Sequence, residues 1–318
     1  MPKPPPIKTP VIVIGGANMD LKSRIGGPEI MATSNPGAIA LMPGGVARNV
    51  AETLARLGLP TALVAAVGRD ALGDQLASET AAAGVALNSV LRGQFATGTY
   101  AAVLTHGGEL LIGVSAMAAT QRLTPAVLRR HSGRLRSAPL IMADCNLPMA
   151  SLEWLVRFAA DADVPLALET VSVPKVKRLR SILQRRRPVF ALFSNRAEIA
   201  AITGHGADGR RGLVRAARWL HDRGVQHVAI GLGANGMFVS SAKRARGTIV
   251  PGRQRKVVDV TGGGDAAVAG TLFGLLRGFD LAQAARCGQA AAALTVASER
   301  SVSPRLSARV LLRAADNP

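Results

Sequence analysis

The chain has 318 residues, of which 48% are hydrophobic, so it can bury one large core in one or two domains. Lys and Arg number 39 against 20 for Asp and Glu, a net charge of +19, while aromatic residues make up only 3%. The charge favours anionic ligands such as ATP, but the scarcity of aromatic side chains for base stacking argues against nucleic acid as the main partner.

The cysteines and the first residues bear on where the protein works. Cys145 and Cys287 are too few and too far apart for a disulfide framework or a zinc cluster, which favours a reducing, cytoplasmic setting. No apolar run reaches the roughly 18 residues that are needed to span a bilayer. The first residues are rich in proline, and we predict that residues 1–10 form a disordered, extended tail.

Short apolar runs then recur along the chain, each followed by a glycine-marked turn and a segment with helical spacing. These runs are Val11–Ile14, Ala62–Val67, Leu140–Met142, Leu166–Leu168, Val189–Phe193 and Val228–Ile230. Strands that are apolar on both faces and alternate with helices predict an α/β fold with a mostly parallel sheet between helical layers. Ligands bind such sheets beyond the carboxyl ends of the strands.

Two helices can be recognised early in the chain. Apolar residues repeat at helical spacing from Val46 to Leu57, and Gly58 ends that segment. Asp70 precedes a second helical segment that runs toward Gly84. Both helices are amphipathic, so we expect each to pack one face against the core.

Two stretches interrupt the alternation of strands and helices, at about 21–42 and 94–114. In the second stretch, alternating residues flank the turn His106–Gly108, which predicts a β-hairpin outside the main sheet. We predict that both stretches form a small β-rich lid on a single domain of residues 11–318, because no composition shift marks a linker. Edge strands of this lid could pair in a homodimer.

Glycines and polar residues cluster at two places near the start of the chain. The first apolar run leads into Gly15–Asp20, which lacks the third glycine and the following helix of a dinucleotide fingerprint. The second cluster, Pro43–Ala51, places a glycine pair at the start of a helix, where backbone can approach a ligand closely. Both are suited to binding hydroxyl groups. The candidate contacts are Asn18, Asp20, Gly44, Gly45 and Asn49.

A third glycine-rich segment, Val257–Asp265, precedes the helical segment Ala266–Leu276. Its consecutive glycines, Gly262, Gly263 and Gly264, let amide groups converge on an anion, and the helix adds its positive end. Asp265 stands beside these donors, where a general base for an alcohol is needed. From this loop alone, a glycine-rich turn with Asp265 capping the helix is an equally good explanation.

Taken together, these motifs resemble those of the ribokinase-like (PfkB) family of carbohydrate and nucleoside kinases. The resemblance rests on Gly44-Gly45-x-x-x-Asn49, on Val67-Gly68-x-Asp70-x-x-Gly73 and on Asp259-x-x-Gly262-x-Gly264-Asp265, in the family's order. It covers nearly the whole chain from Val11. It implies a three-layer α/β sandwich with a small β-rich lid, and phosphoryl transfer from ATP to an alcohol.

The resemblance also implies roles for the matching residues. Asp265 would be the general base, the amides of Gly262, Gly263 and Gly264 would form the anion hole, and the candidate contacts named above would hold the sugar. The family usually has alanine in place of Gly263, and glycine should loosen the loop while keeping the amide donor.

Further matching residues would serve ATP and metal ions. Asn195-x-x-Glu198 has the pattern that the family uses near the ATP phosphates, with Glu198 reaching Mg²⁺ through water, and it also reads as a capping box. Asp259 matches the position that helps to bind a monovalent cation, for which we expect K⁺. The glycines of the ATP-contacting turn would be Gly231, Gly233 and Gly236.

Within the family, three strings are similar to those of pseudouridine kinases: Ser34–Gly37, Ala143–Asn146 and Val171–Lys175. Glu169–Thr170 departs from the acidic residue and proline that relatives often carry there. The similarity implies phosphorylation of the 5′-hydroxyl of pseudouridine to pseudouridine 5′-phosphate. Asn35 is our hypothesis for a contact to the uracil edge, because an amide both donates and accepts, and a turn role before proline explains it equally well.

Two other functions stay open. A kinase for another nucleoside or a free sugar, such as adenosine, ribose or fructose, would share the catalytic core and differ in the lid. A noncatalytic nucleic-acid-binding protein would use the basic surface instead, although the intact Asp265 and its glycine loop favour catalysis. We therefore expect ATP, Mg²⁺ and K⁺, a small nucleoside or sugar substrate, and neither a membrane nor a nucleic acid as partner.

Overall fold

The computed structural model describes residues 7–316, and residues 1–6 of the predicted tail lie outside this range. The strands within it are β1 Val11–Ile14, β2 Asn18–Ile25, β3 Gly37–Gly44, β4 Thr61–Val64, β5 Ala66–Gly68, β6 Leu91–Gly93, β7 Gly98–Leu104, β8 Leu110–Ala116, β9 Ile141–Asp144, β10 Leu166–Glu169, β11 Val189–Asn195, β12 Val225–Gly231, β13 Met237–Ser241 and β14 Arg244–Val250. The α-helices are α1 Val46–Arg56, α2 Ala71–Ala82, α3 Pro125–Arg129, α4 Ser132–Arg136, α5 Met149–Ala162, α6 Val173–Val176, α7 Leu179–Ile182, α8 Arg196–Thr203, α9 Gly209–His221, α10 Gly263–Leu276, α11 Leu281–Val296 and α12 Ala308–Asp316. None of these helices has the length and apolar character needed to cross a bilayer.

A large sheet forms the centre of the described residues, in the order β14-β13-β12-β11-β10-β9-β1-β4. Its strands from β12 to β4 are parallel, and β13 and β14 continue it in antiparallel fashion. This arrangement confirms the predicted α/β class with a mostly parallel sheet.

Both faces of this sheet are covered, which explains its continuously apolar strands. In β1, Val11 and Val13 pack with α1 and α10 residues, whereas Ile12 and Ile14 face the opposite cluster with α5 and α8 residues. Each fully buried aliphatic side chain contributes about 1.5–3 kcal/mol relative to an exposed one. If one face of the sheet were exposed to solvent, its strands would instead carry polar residues at every second position.

A separate four-stranded sheet has the order β3-β2-β7-β8. Strands β7 and β8 pair antiparallel as the predicted hairpin, and β2 pairs with both β3 and β7. Strand β2 begins at Asn18 and β3 ends at Gly44, so this sheet starts inside the predicted sugar-binding segments. Only three residues separate the carboxyl end of β1 from the start of β2 in this sheet.

Two local predictions were wrong. The run Ala62–Val67 is two strands rather than one, because β4 belongs to the large sheet and β5 pairs with β6 in a sheet of two. The helix predicted from Ala266 begins at Gly263, since Gly262 takes the left-handed conformation (φ 76°) and caps it. Asp265 consequently lies within the first turn of α10 rather than before it.

Candidate active site

The side chains of Asn49 and Asp265 meet between the first turns of α1 and α10. Asn49 Nδ2 donates to Asp265 Oδ2 at 2.7 Å, and Asn49 is almost completely buried. Burial around the Asp265 carboxyl raises its pKa to about 6, a shift that Asn49 opposes and that the nearby Asp144 and Asp20 carboxylates increase. A carboxylate with this pKa can accept a proton at neutral pH.

A buried arginine fixes the orientation of the Asn49 amide. Arg48 Nη1 donates to Asn49 Oδ1 at 3.0 Å and to the Pro43 carbonyl at 3.1 Å, and Arg48 pairs with Glu52 one turn along α1. Because Oδ1 must accept, Nδ2 is the atom that faces Asp265. Sequence reasoning assigned no role to Arg48, although it adjoins Asn49 in the helix-start signature.

The glycine loop before Asp265 has both a tight and an open position. A Cβ at Gly262 would lie 1.9 Å from the Ser301 carbonyl oxygen, whereas a Cβ at Gly264 would meet nothing within 4 Å. The Gly263 N–H donates to the Val260 carbonyl at 3.2 Å. The Gly263 N–H is therefore already engaged, which does not support the anion-hole role predicted for it and leaves the amides of Gly262 and Gly264 as the candidates.

Asn18 and Asp20 form a second polar pair at the base of β2. Asn18 Nδ2 donates to Asp20 Oδ1 at 2.6 Å, and both residues are buried. Burial raises the pKa of Asp20, while Asn18, Lys22 and Arg48 act to lower it. A Cβ at Gly44 would lie 2.2 Å from Asp20 Oδ2, so only glycine allows this carboxylate to sit against β3.

Asp144, at the end of β9, joins the segments that carry these pairs. Its Oδ2 accepts from the backbone N–H of Gly16 at 2.8 Å and of Ala47 at 3.1 Å, and its Oδ1 accepts from Asn146 at 2.9 Å. The carboxyl is fully buried, which raises its pKa. Gly45 caps α1 with φ 97° and packs closely against Gly16. A Cβ at Gly45 would lie only 2.5 Å from the Gly16 carbonyl oxygen.

The predicted ATP-side residues lie at the carboxyl ends of β11 and β12, where Asn195 and Gly231 are paired in register. Asn195 and Glu198 form a complete capping box, with bonds of 2.9 and 3.0 Å. Gly233 has φ 63° and Gly236 has φ 97°, and a Cβ at Gly236 would lie 2.1 Å from the Val250 carbonyl oxygen. These glycines form a tight turn that exposes backbone next to the capped helix.

Carboxylates near this capping box fit a hydrated Mg²⁺. Glu198 Oε2 accepts from Asn195 and from Thr170, and within residues 7–316 the buried Oε2 of Glu169 has no hydrogen-bond partner. Burial raises the pKa of Glu169 well above its usual value, and Asp265 and Glu198 raise it further. In the described part of the chain, no three ligating side chains meet, so the ion would be held through water.

At Asp259, the predicted monovalent cation does not fit the observed contacts. Lys22, from β2, pairs with Asp259 Oδ2 and donates to Thr261 Oγ1 at 2.7 Å. The other carboxylate oxygen accepts from the Thr261 N–H at 2.8 Å. An ammonium group thus already neutralises the carboxylate that was predicted to bind K⁺.

The side chain of Asn35 forms hydrogen bonds to the backbone of its own loop. Its Oδ1 accepts from the Ile30 N–H at 2.8 Å, and its Nδ2 donates to the Ile30 and Thr33 carbonyls at 2.8 and 3.2 Å. A contact to a uracil edge would break these bonds, so the turn role is the better explanation.

Two of the strings that resemble pseudouridine kinases come together. Lys175 pairs with Asn146 Oδ1, and Arg178 Nη2 donates to the Cys145 carbonyl at 2.6 Å. Val171 has φ 68°, a strained conformation for a β-branched residue and one that is frequent at functional sites. A cavity of about 260 Å³ opens here. It is lined by Met117, Thr120, Gln121, Asn146, Pro174, Lys175 and Arg178.

Comparisons with known proteins point to one family. The pfkB family carbohydrate kinase model matches residues 8–308. The chain is 31% identical over 309 residues to the pseudouridine kinase of Escherichia coli, covering 96% of each protein, and 28% identical to that of Arabidopsis thaliana, covering 92% of each. A carbohydrate kinase structure from Agrobacterium tumefaciens has a TM-score of 0.82 at 30% identity, over 96% of this chain and 97% of that one. The Arabidopsis ribokinase complexed with ribose and ATP has a TM-score of 0.86 at 21% identity, over 98% and 100%, which confirms the ribokinase-like fold.

Proposed function

The chain belongs to the pfkB family of carbohydrate kinases, and from this we propose that it transfers the γ-phosphoryl group of ATP to the 5′-hydroxyl of pseudouridine. A phosphotransferase with an alcohol acceptor needs a positioned base beside an anion-binding loop. The observation that carries the proposal is the bond from Asn49 to Asp265 at the start of α10, next to Gly262 and Gly264.

Asp265 would act as the general base. Because Asn49 holds its Oδ2, Oδ1 is the atom available to take the proton of the acceptor hydroxyl. The hydroxyl oxygen then bonds to the γ-phosphorus while the bond from that phosphorus to the ADP oxygen breaks, so one proton and one phosphoryl group move. The amides of Gly262 and Gly264 would stabilise the charge on the transferring group.

Acidic residues on the ATP side would hold the metal ion. Glu198 and Glu169 would bind Mg²⁺ through its water, and the ion would neutralise charge on the phosphates. The turn from Gly231 to Gly236, including Gly233, would receive the nucleotide. Asn195 would keep α8 in place through its capping box.

The acceptor would extend from the polar pairs of β2 and α1 toward Lys175. Asn18, Asp20 and the Gly44–Gly45 backbone are suited to sugar hydroxyls. Asn146 and Lys175 line the cavity described above. This cavity lies close to the end of β1, since a Cβ at Gly16 would lie 3.0 Å from Asn146 Nδ2. An ammonium and an amide match the carbonyl and N–H groups of uracil.

The test is an ATP-consumption assay with Mg²⁺ that compares pseudouridine, uridine, adenosine, ribose and fructose, with each product identified by mass. We expect the highest kcat/KM with pseudouridine, and Asp265→Asn should lower kcat with this substrate about 10²-fold or more. Preference for another acceptor would reject the pseudouridine proposal and leave the kinase intact.

Lys175→Met tests the uracil contact against Lys177→Met, an exposed lysine two positions away. We expect Lys175→Met to raise KM for pseudouridine by at least about tenfold, the cost of one charge-assisted hydrogen bond, and to leave KM for ribose unchanged. Equal effects of both variants would contradict the placement of the base.

We also propose a homodimer formed through the small sheet, and a cytoplasmic location. The outer strands β3 and β8 carry exposed apolar side chains, among them Ile39 at 72% and Val114 at 60% exposure. Light scattering should give about twice the 32.9 kDa chain mass, and Ile39→Glu should lower it. Cys145 and Cys287 are buried free thiols, which suits a reducing compartment.

A further inference from the structure

Lys22 connects the small sheet to the loop that precedes the proposed anion hole. From β2, its ammonium pairs with Asp259 Oδ2 and donates to Thr261 Oγ1 at 2.7 Å, across 237 and 239 positions of sequence. Both members of the ion pair are largely buried, with side chains 16% and 24% exposed. Thr261 is the residue before Gly262, so the charge is fixed one position from the loop's tight glycine.

Both carboxylate oxygens of Asp259 already accept a hydrogen bond. Thr261 N–H occupies Oδ1 at 2.8 Å and Lys22 occupies Oδ2. Although burial acts to raise the pKa of Asp259, the hydrogen bonds from Lys22 and Thr261 hold it below its usual value, so the carboxylate stays ionised. A monovalent cation at Oδ2 would have to displace an ammonium group of the same charge, and two such charges a few ångströms apart would repel each other.

We propose that Lys22 supplies, as part of the chain, the positive charge at Asp259 and Thr261 that a bound monovalent cation would otherwise provide, so that the kinase works without K⁺. The inference rests on the proposed kinase function only for its activity readout. Lys22 acts here as a positioning residue: it holds the Asp259–Thr261 turn, and thereby the start of the glycine loop, in one conformation. It also ties that conformation to β2, which carries Asn18 and Asp20.

The test compares the wild-type chain with Lys22→Met and with Lys243→Met, a control that removes one lysine charge from an exposed turn. Each protein is unfolded by heat without nucleotide or acceptor, in KCl or in tetramethylammonium chloride at equal ionic strength. Turnover with ATP, Mg²⁺ and pseudouridine is then measured in the same two salts. A further variant, Lys22→Met combined with Asp259→Asn, lacks both charges.

For wild type and Lys243→Met, we expect turnover to differ between the salts by less than about twofold, with equal unfolding temperatures. For Lys22→Met, turnover in tetramethylammonium should fall at least about tenfold, and KCl should restore much of it and raise the unfolding temperature, because the freed carboxylate binds K⁺. The double variant should lose the response to KCl.

K⁺-dependent turnover or a K⁺-induced rise in unfolding temperature of the wild type would overturn the inference, as would a Lys22→Met protein that is indifferent to KCl. If Lys22→Met does not fold, the comparison of the two salts with wild type still decides the question. The unfolding measurement needs no turnover, so failure of the pseudouridine proposal would leave this result interpretable.

Discussion

Asn49 donates a 2.7 Å hydrogen bond to Asp265, although 216 positions separate the two residues in the sequence. The bond joins the helix-start signature of α1 to the glycine loop of α10, so the two motifs form one unit. Behind it, Arg48 orients the Asn49 amide, and Glu52 neutralises Arg48 inside the core. Substitutions at these positions should therefore change the pKa of the Asp265 carboxyl.

Replacing the proposed base should separate binding from chemistry. Asp265→Asn keeps the size of the side chain but cannot take a proton, so we expect kcat to fall about 10²-fold or more. Calorimetric titration with a nonhydrolysable ATP analogue should give an unchanged Kd. Wild-type turnover by this variant would show that another group removes the proton.

The acid limb of the pH–rate profile should report the Asp265 carboxyl. Its pKa is raised to about 6, and only the ionised form is a base, so kcat/KM should decline as the pH falls below about 6. Asn49 opposes that shift by donating to the carboxylate, so Asn49→Ala should move the limb to higher pH. Profiles of Asn49→Ala and of Asn88→Ala, a change at an exposed asparagine, test this sign. A limb that stays in place in both would show that Asn49 does not act on the titrating group.

Because of the same raised pKa, ionisation of Asp265 lowers the free energy of unfolding. The folded state holds the proton more tightly than the unfolded state, so this group's stabilising contribution is lost as the pH rises from about 4 through about 6. Asp265→Asn removes the penalty. Urea unfolding should show the variant more stable than wild type, by roughly 1 kcal/mol more at about pH 8 than at about pH 5. An equal difference at both pH values would mean that the carboxyl titrates alike in the folded and unfolded chain.

The sequence predicted the α/β class, the hairpin and the starts of α1 and α2 because apolar periodicity and glycine positions are local properties. It did not predict the contact of Lys22 with Asp259, since that pair forms only when β2 folds over a loop 237 positions away. For the same reason sequence reasoning assigned no role to the Asp144 carboxylate, which joins the end of its own strand to the backbone of Gly16 and of Ala47. For Asn35, in contrast, the local turn pattern alone explains the observed hydrogen bonds within the loop, and a uracil contact is not needed to account for this residue.

Two glycines of the glycine loop before Asp265 should respond differently to the same added methyl group. At Gly262 the left-handed backbone (φ 76°) and the Ser301 carbonyl leave no room for a Cβ, so Gly262→Ala should destabilise the fold by about 1–3 kcal/mol or more. At Gly264 an added Cβ would meet no atom within 4 Å beyond its chain neighbours and the backbone of its own helix, so Gly264→Ala should unfold like wild type. If the open side of Gly264 faces the phosphoryl group, as proposed, its methyl group should nevertheless raise KM for ATP or lower kcat. Urea unfolding and steady-state kinetics of both variants separate the two effects, and full activity of Gly264→Ala would remove this amide from the anion hole.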